Sequence, residues 1–191
     1  MKKFNILVLF IASGFALYGI WGFTQTHSSE KNPTQSQQIK WITFEEAIKL
    51  NQKQPKKFII DVYTNWCSWC KVMDKNTFTN PVIIKHINEY FYAVKLNAEM
   101  KDTVRFNDVV FVNPNPEQRS SVHQLAAALL NNQLSYPTTV FLDEGVNMLS
   151  PVPGYLKPQD MEPILNFYGK NHHKTTKWED FTKTFKSEIA P

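Results

Sequence analysis

Apolar and polar positions alternate along this chain in blocks whose lengths and periods predict strands and helices in turn. Phe58-Ile59-Ile60-Asp61-Val62-Tyr63 is a short apolar run, rich in β-branched and aromatic residues and bounded by polar ones, which suits a central strand. Cys70 to Phe78 holds no Gly or Pro and reads as a helix directly after it. Before the strand, Ile39 to Ile42 reads as a short edge strand. Thr43-Phe44-Glu45-Glu46 is a capping box that starts a helix running to about Gln52. Pro55 then ends that segment.

After the cysteine helix, Pro81 occupies a first helical position and opens a helix over 81–90. Phe91 to Leu96 predicts a second strand, and Val104 to Val112 has strand-like content ahead of the turn Asn113-Pro114-Asn115-Pro116. Ser121 and Gln124 form a second apparent capping box before a helix through Leu125 to Leu130. Thr138 to Leu142 is a third strand, turned by Asp143-Glu144-Gly145 into a hairpin with 147–151. Met161 to Tyr168 predicts a helix closed by Gly169. Trp178, Phe181, Phe185 and Ile189 recur at helical spacing, so a last helix is expected to pack on the domain. There are no internal repeats. Strands alternating with helices, then a hairpin and a closing helix, predict an α/β fold with a central mixed sheet covered by helices on both faces.

Ahead of this pattern, Lys2-Lys3 precedes Phe4 to Phe23, twenty residues without a charge. Two readings fit residues 1–23. A cleaved signal peptide would use small residues such as Gly14, Ala16 or Gly22. An uncleaved anchor would use the full length, just enough to cross a bilayer, with the lysines keeping the N-terminus cytoplasmic. Either one exports the remainder, so an extracytoplasmic, periplasmic-side location is expected. No Cys lies near the segment, which excludes a lipoprotein anchor. Residues 24–38 are rich in Ser, Thr, Gln and Asn and read as a linker.

Composition adds one core and little charge. With 191 residues and 42% hydrophobic content, the chain suits one sizeable core. Its net charge is +4, and without the first 23 residues it carries 19 basic against 17 acidic side chains, or +2. That balance gives no sign of nucleic-acid binding.

The chemistry lies in Trp66-Cys67-Ser68-Trp69-Cys70-Lys71, which holds both cysteines of the chain. Cys67 falls where a strand hands over to a helix N-terminus, whose free N–H groups and dipole favour a thiolate. A bridge between the pair would close a four-residue loop worth only about 2 kcal/mol of chain entropy, so redox turnover is a stronger reading than a structural staple. Zinc needs about four ligands, and two Cys without a neighbouring His supply half. Copper has Met73 near the pair but too few further soft ligands. A Cys–His protease would leave the second cysteine unexplained. His172-His173 sits in a polar stretch and reads as solvated.

From about residue 40 to 169 the chain resembles the thioredoxin superfamily. The segment Asp61-Val-Tyr-Thr-Asn-Trp-Cys-Ser-Trp-Cys-Lys71 is similar to that family's active-site segment, and Ser135-Tyr136-Pro137-Thr138 to its cis-proline segment. The resemblance implies a thioredoxin-like domain over 39–169 and a C-terminal extension over 170–191. It also implies an insertion near 98–119, before the third core helix. It implies Asp61 as a buried acid beneath the cysteines, accompanied by Lys95, and Gly154 as the glycine near the substrate groove. Ser68-Trp69 replaces the Gly-Pro between thioredoxin's cysteines. The pattern is closer to exported bacterial thioredoxin-like proteins and to the periplasmic domain of transmembrane thiol reductases.

The expected function is therefore an extracytoplasmic thiol–disulfide oxidoreductase, reducing or isomerising protein disulfides. Cys67 attacks and Cys70 resolves the mixed disulfide. Asp61 accepts the Cys70 proton if burial raises its pKa. Lys95 is open between a solvated strand-end residue and a functional partner. Trp66, Trp69, Tyr136, Pro137 and Gly154 form the expected substrate surface, with Trp69 equally readable as packing. No cofactor beyond the Cys67–Cys70 disulfide is called for, and no metal. The expected partners are protein thiols and disulfides, an unidentified electron donor or acceptor, and the membrane through residues 4–23 if uncleaved. A non-catalytic binding module and a copper-delivery protein are the alternatives.

Overall fold

A computed structural model describes residues 38–189. The segment 1–23 and residues 24–37 of the linker lie outside them. Among the described residues, no helix is long and apolar enough to cross a membrane.

Among the described residues, seven strands and six α-helices form a five-stranded mixed sheet, a separate two-stranded hairpin and the helices around them. In chain order they are β1 (Trp41–Ile42), α1 (Phe44–Lys53), β2 (Lys57–Tyr63), α2 (Ser68–Asn76), α3 (Pro81–Tyr90), β3 (Phe91–Asn97), β4 (Val104–Phe106) and β5 (Val109–Phe111). After these come α4 (Gln124–Leu129), β6 (Thr138–Leu142), β7 (Met148–Pro153), α5 (Pro158–Gly169) and α6 (Trp178–Thr184). The main sheet has the order β1-β3-β2-β6-β7; β1, β3 and β2 run parallel, β6 runs antiparallel to β2, and β7 antiparallel to β6.

Strand periodicity divides β2 between two cores. Phe58, Ile60 and Val62 face α1 and α4, packing on Phe44, Ala47, Leu125, Ala126 and Leu129. Ile59 faces the other side, among Met73 of α2, Ile83 and Ile87 of α3, and Met161 and Leu165 of α5. Asp61 shares the face of Ile59, so the one acid of this strand is directed under the helix that carries the cysteines. A strand buried on both faces reads as an unbroken apolar run, which is why β2 lacks alternation.

Local chemistry sets the helix starts. Thr43 caps α1 in a full capping box: its hydroxyl accepts from the Glu46 N–H at 3.2 Å and Glu46 Oε2 accepts from the Thr43 N–H at 2.9 Å. Asn80 caps α3, with Pro81 at the first position.

The structure corrects several expectations. Ser121 does not cap α4, because the helix starts at Gln124 with residue 123 in the cap position; the Ser121 hydroxyl donates instead to Asn113 Oδ1 at 2.6 Å. The cap is His123, whose Nδ1 accepts the Leu125 N–H at 3.1 Å while Nε2 meets the Asp102 carbonyl at 2.9 Å. Gly169 does not close α5 by a left-handed turn; that conformation falls on Asn171, with φ 65°. A Cβ on Gly169 would lie 2.9 Å from the Tyr90 ring, so glycine is there for close approach of α5 to α3. The last helix ends at Thr184, with Phe185 as its C-cap and Ile189 beyond it. His172 and His173 are half-buried, their rings 4.9 Å from Phe181 and 5.4 Å from Tyr168. The strand-like region before Asn113 is a hairpin, β4–β5, turned at Asn107-Asp108 with both residues at positive φ.

Candidate functional site

The site begins where β2 ends. After Tyr63 the chain turns through Thr64 to Trp66, and Cys67 becomes the N-cap of α2. Cys67 and Cys70 are joined in a disulfide, with Cα atoms 5.3 Å apart. Cys67 Sγ accepts the Cys70 backbone N–H at 3.0 Å, so one free donor of the helix start is already aimed at that sulfur. The same donor would stabilise a Cys67 thiolate once the bond opens. Cys67 and Cys70 are both buried as residues, and the large apolar side chains exposed beside them are Trp66 and Trp69, at 55% and 60%.

Beneath α2, Asp61 pairs in register with Lys95 of β3 on one side and Thr139 of β6 on the other. The Lys95 Nζ lies 2.5 Å from Asp61 Oδ2 and also contacts the Asp74 carboxylate. Three rings surround this ammonium, those of Trp41, Tyr63 and Phe78, with centroids at 5.0 to 5.3 Å. Lys95 is therefore a caged, paired cation rather than a solvated strand-end lysine.

Burial pushes the Asp61 carboxyl up to about 6. Lys95 pulls it back through charge and a hydrogen bond, and Asp74 adds a smaller upward push. Asp61 Oδ1 is buried without a protein partner among the described residues. For Lys95, burial disfavours the charge, but Asp61 and Asp74 together outweigh it and raise its pKa. The result is a carboxyl that changes protonation just below neutrality and can take a proton at ordinary pH.

Across the surface, the Tyr136–Pro137 peptide is cis and Gly154 sits at φ 96°, where only glycine is unstrained. The Gly154 N–H donates to the Pro137 carbonyl at 2.8 Å, joining the two segments. Trp69, Tyr136, Pro137, Gly154 and Tyr155 line a cavity of about 280 Å³. Trp69 stacks on Tyr155 at 5.4 Å, and Trp66 meets Tyr136 edge-on at 5.8 Å.

Two groupings thus emerge from the residues singled out in the sequence. Asp61 and Lys95 meet beneath α2, tied to it through Asp74, while Trp69, Tyr136, Pro137 and Gly154 share one cavity, with Trp66 against Tyr136. Three residues were missed. Asp74 stands four positions after Cys70, one helical turn on, and that spacing could have exposed it. Tyr155 adjoins Gly154. Glu99 accepts the Trp66 indole N–H at 2.9 Å, and no local signal marks it. Among the described residues, His86, Glu162 and Glu188 gather elsewhere, between α3, α5 and the C-terminal tail. Glu162 there already accepts from the Ser187 hydroxyl and the Glu188 N–H, so it is satisfied as a tail anchor.

Comparison with known proteins agrees with this fold. The thioredoxin-like domain family matches residues 44–169. The thiol:disulfide interchange protein DsbD of Haemophilus ducreyi is 32% identical over 172 residues, covering 87% of this chain and 26% of that protein. The DsbD of Actinobacillus pleuropneumoniae is 29% identical over 120 residues, covering 62% and 17%. The chain therefore spans about a quarter or less of the length of these relatives. A thioredoxin-fold protein from Helicobacter pylori superposes with a TM-score of 0.52 at 22% identity, over 75% of this chain and 82% of that one. A thioredoxin from Thermus thermophilus gives 0.51 at 16%, over 71% and 95%. These structures share the fold, and the match over 44–169 assigns the chain: it belongs to the thioredoxin-like domain family.

Proposed function

We propose that this protein is a thiol–disulfide oxidoreductase that reduces or isomerises disulfides of other proteins outside the cytoplasm. The observation that carries the reading is the Cys67–Cys70 disulfide at the N-terminus of α2, set above a buried carboxyl whose pKa is about 6. The DsbD relatives, thiol:disulfide interchange proteins by name, support the reaction class. The uncharged run 4–23 supports export.

In the reducing direction the reduced pair acts first. The Cys67 thiolate attacks one sulfur of a substrate disulfide, forming a Cys67–substrate bond and releasing the other substrate sulfur as a thiolate. Cys70 then loses its proton to ionised Asp61 and attacks Cys67. The Cys67–Cys70 bond forms, the mixed disulfide breaks, and the second substrate sulfur departs. The substrate gains two electrons and the protein loses two. A separate thiol donor must restore the dithiol.

The decisive experiment uses pre-reduced protein and a disulfide-containing protein substrate. Wild type should reduce the substrate in one turnover. Cys67→Ser should be inactive, and Cys70→Ala should accumulate a mixed disulfide visible by mass. Undiminished reduction by Cys67→Ser would overturn the proposal.

A further inference from the structure

An exposed indole ordinarily samples several rotamers, yet Trp66 is held on two sides. Its Nε1–H donates to Glu99 Oε1 at 2.9 Å, and its ring stands against Tyr136. Glu99 is itself fixed by its neighbours. Its N–H donates to Asn97 Oδ1 at 2.9 Å, and the adjoining Ala98 bridges two elements. The Ala98 N–H donates to the Tyr63 carbonyl at 2.8 Å, and its own carbonyl accepts the His123 N–H at 2.7 Å. Glu99 is thus tied both to the end of β2, four residues before Cys67, and to the cap of α4. It also lies at the start of the segment 98–119 that the family resemblance implies as an insertion. Burial raises the Tyr136 phenol above its ordinary pKa, and the Glu99 charge adds a smaller push in the same direction.

We propose that Glu99 is a specificity-determining residue of the disulfide site. It fixes the Trp66 indole against Tyr136 and sets a carboxylate beside the aromatic surface of Trp66, Trp69, Tyr136 and Tyr155. Such a surface takes disulfides in peptide segments flanked by apolar and basic residues, and disfavours those flanked by acidic ones. This rests on the reductase reading above and adds the substrate class to it.

Glutamine at position 99 keeps an oxygen acceptor for the indole and removes the charge; leucine removes both. The test uses pre-reduced full-length protein, mixed in single turnover with two synthetic disulfide peptides. Both carry the same aromatic neighbours, and one has Lys where the other has Glu beside the cystine. Wild type should react about two- to fivefold faster with the Lys peptide, the range of one exposed ion pair, and the ratio should shrink at 1 M salt. Glu99→Gln should bring the ratio to about one while keeping the rate of the Lys peptide within about fivefold. Glu99→Leu should slow both peptides further and raise their KM, because the indole is released. An unchanged ratio in Glu99→Gln, or no preference in wild type, would overturn the assignment. If wild type reduced neither peptide and no protein disulfide, the reductase reading would fall and the Glu99 assignment with it.

Discussion

Asp61 and Lys95 stand opposite each other across the β2–β3 ladder, Oδ2 and Nζ 2.5 Å apart, on the face of the sheet that α2 covers. The pair joins a proton site to the disulfide through the fold: one strand ends at Cys67, and the other supplies the cation that keeps the buried carboxyl from rising further. Its consequences can be measured on stability and on rate separately.

The first concerns stability against pH. The folded-state pKa of Asp61 is about 6, above its ordinary value of 3.8. The stabilisation contributed by its protonated form is complete below about pH 3.8 and is lost as pH rises through about 6. Linkage puts that loss at up to about 3 kcal/mol. Urea unfolding of the oxidised protein, wild type against Asp61→Asn, should therefore show a difference that shifts in favour of Asn as pH goes from about 4 to 7.

Rate should move the other way. Ionised Asp61 is the acceptor for the Cys70 proton, so resolution of the mixed disulfide should fall off below about pH 6. Asp61→Asn should slow that step by about 10²-fold and remove the inflection. A pH–rate profile with the same inflection in the variant would exclude Asp61 as the base.

Lys95→Met leaves the buried Asp61 carboxylate without its cation. The protein should lose about 3 kcal/mol at pH 7.5. Much of this should return at pH 5, where Asp61 is protonated. Denaturant midpoints at the two pH values check both halves.

Helix packing offers a test away from the chemistry. Gly169→Ala places a methyl 2.9 Å from the Cβ, Cγ and Cδ2 atoms of Tyr90. The expected loss is about 1–3 kcal/mol, and it should shrink in a Tyr90→Ala background, where the ring is gone. Thermal unfolding of the two single variants and the double variant closes the cycle.

The cap of α4 separates two candidates only two residues apart. His123→Ala should cost about 2 kcal/mol, since it frees the buried Leu125 N–H and removes the contact to the Asp102 carbonyl. Ser121→Ala removes a loop contact to Asn113 and leaves the cap in place, so its effect should be smaller. Chemical denaturation of both variants ranks them.

How far the chain could be read in advance follows from the range of each interaction. β6 starts and ends at the predicted Thr138 and Leu142, and α1 carries the predicted capping box, because strand burial and caps are written in a few adjacent residues. The Ser121–Gln124 signal had the right spacing and failed. The helix starts at Gln124, so His123 holds the cap position and its ring nitrogen takes the Leu125 N–H, while Ser121 is left outside and donates to Asn113, eight residues away. Gly169 looked like a terminator because glycine favours left-handed turns, whereas its reason is a tyrosine on another helix.

The amino-acid order alone determined the alternation of elements, the pairing of two cysteines at a strand-to-helix junction, and an acid in the middle of an apolar strand. Each of these depends on neighbours within about one turn or one strand. Only the tertiary structure decided that Lys95 is caged between Asp61 and Asp74, that Tyr155 forms a wall of the cavity, and that Glu99 holds Trp66. Those contacts join residues 21 to 86 positions apart in the chain (Asp74 to Lys95 at 21, Trp66 to Glu99 at 33, Trp69 to Tyr155 at 86), and no local periodicity encodes them. Chain distance separates what a pattern can specify from what packing must supply.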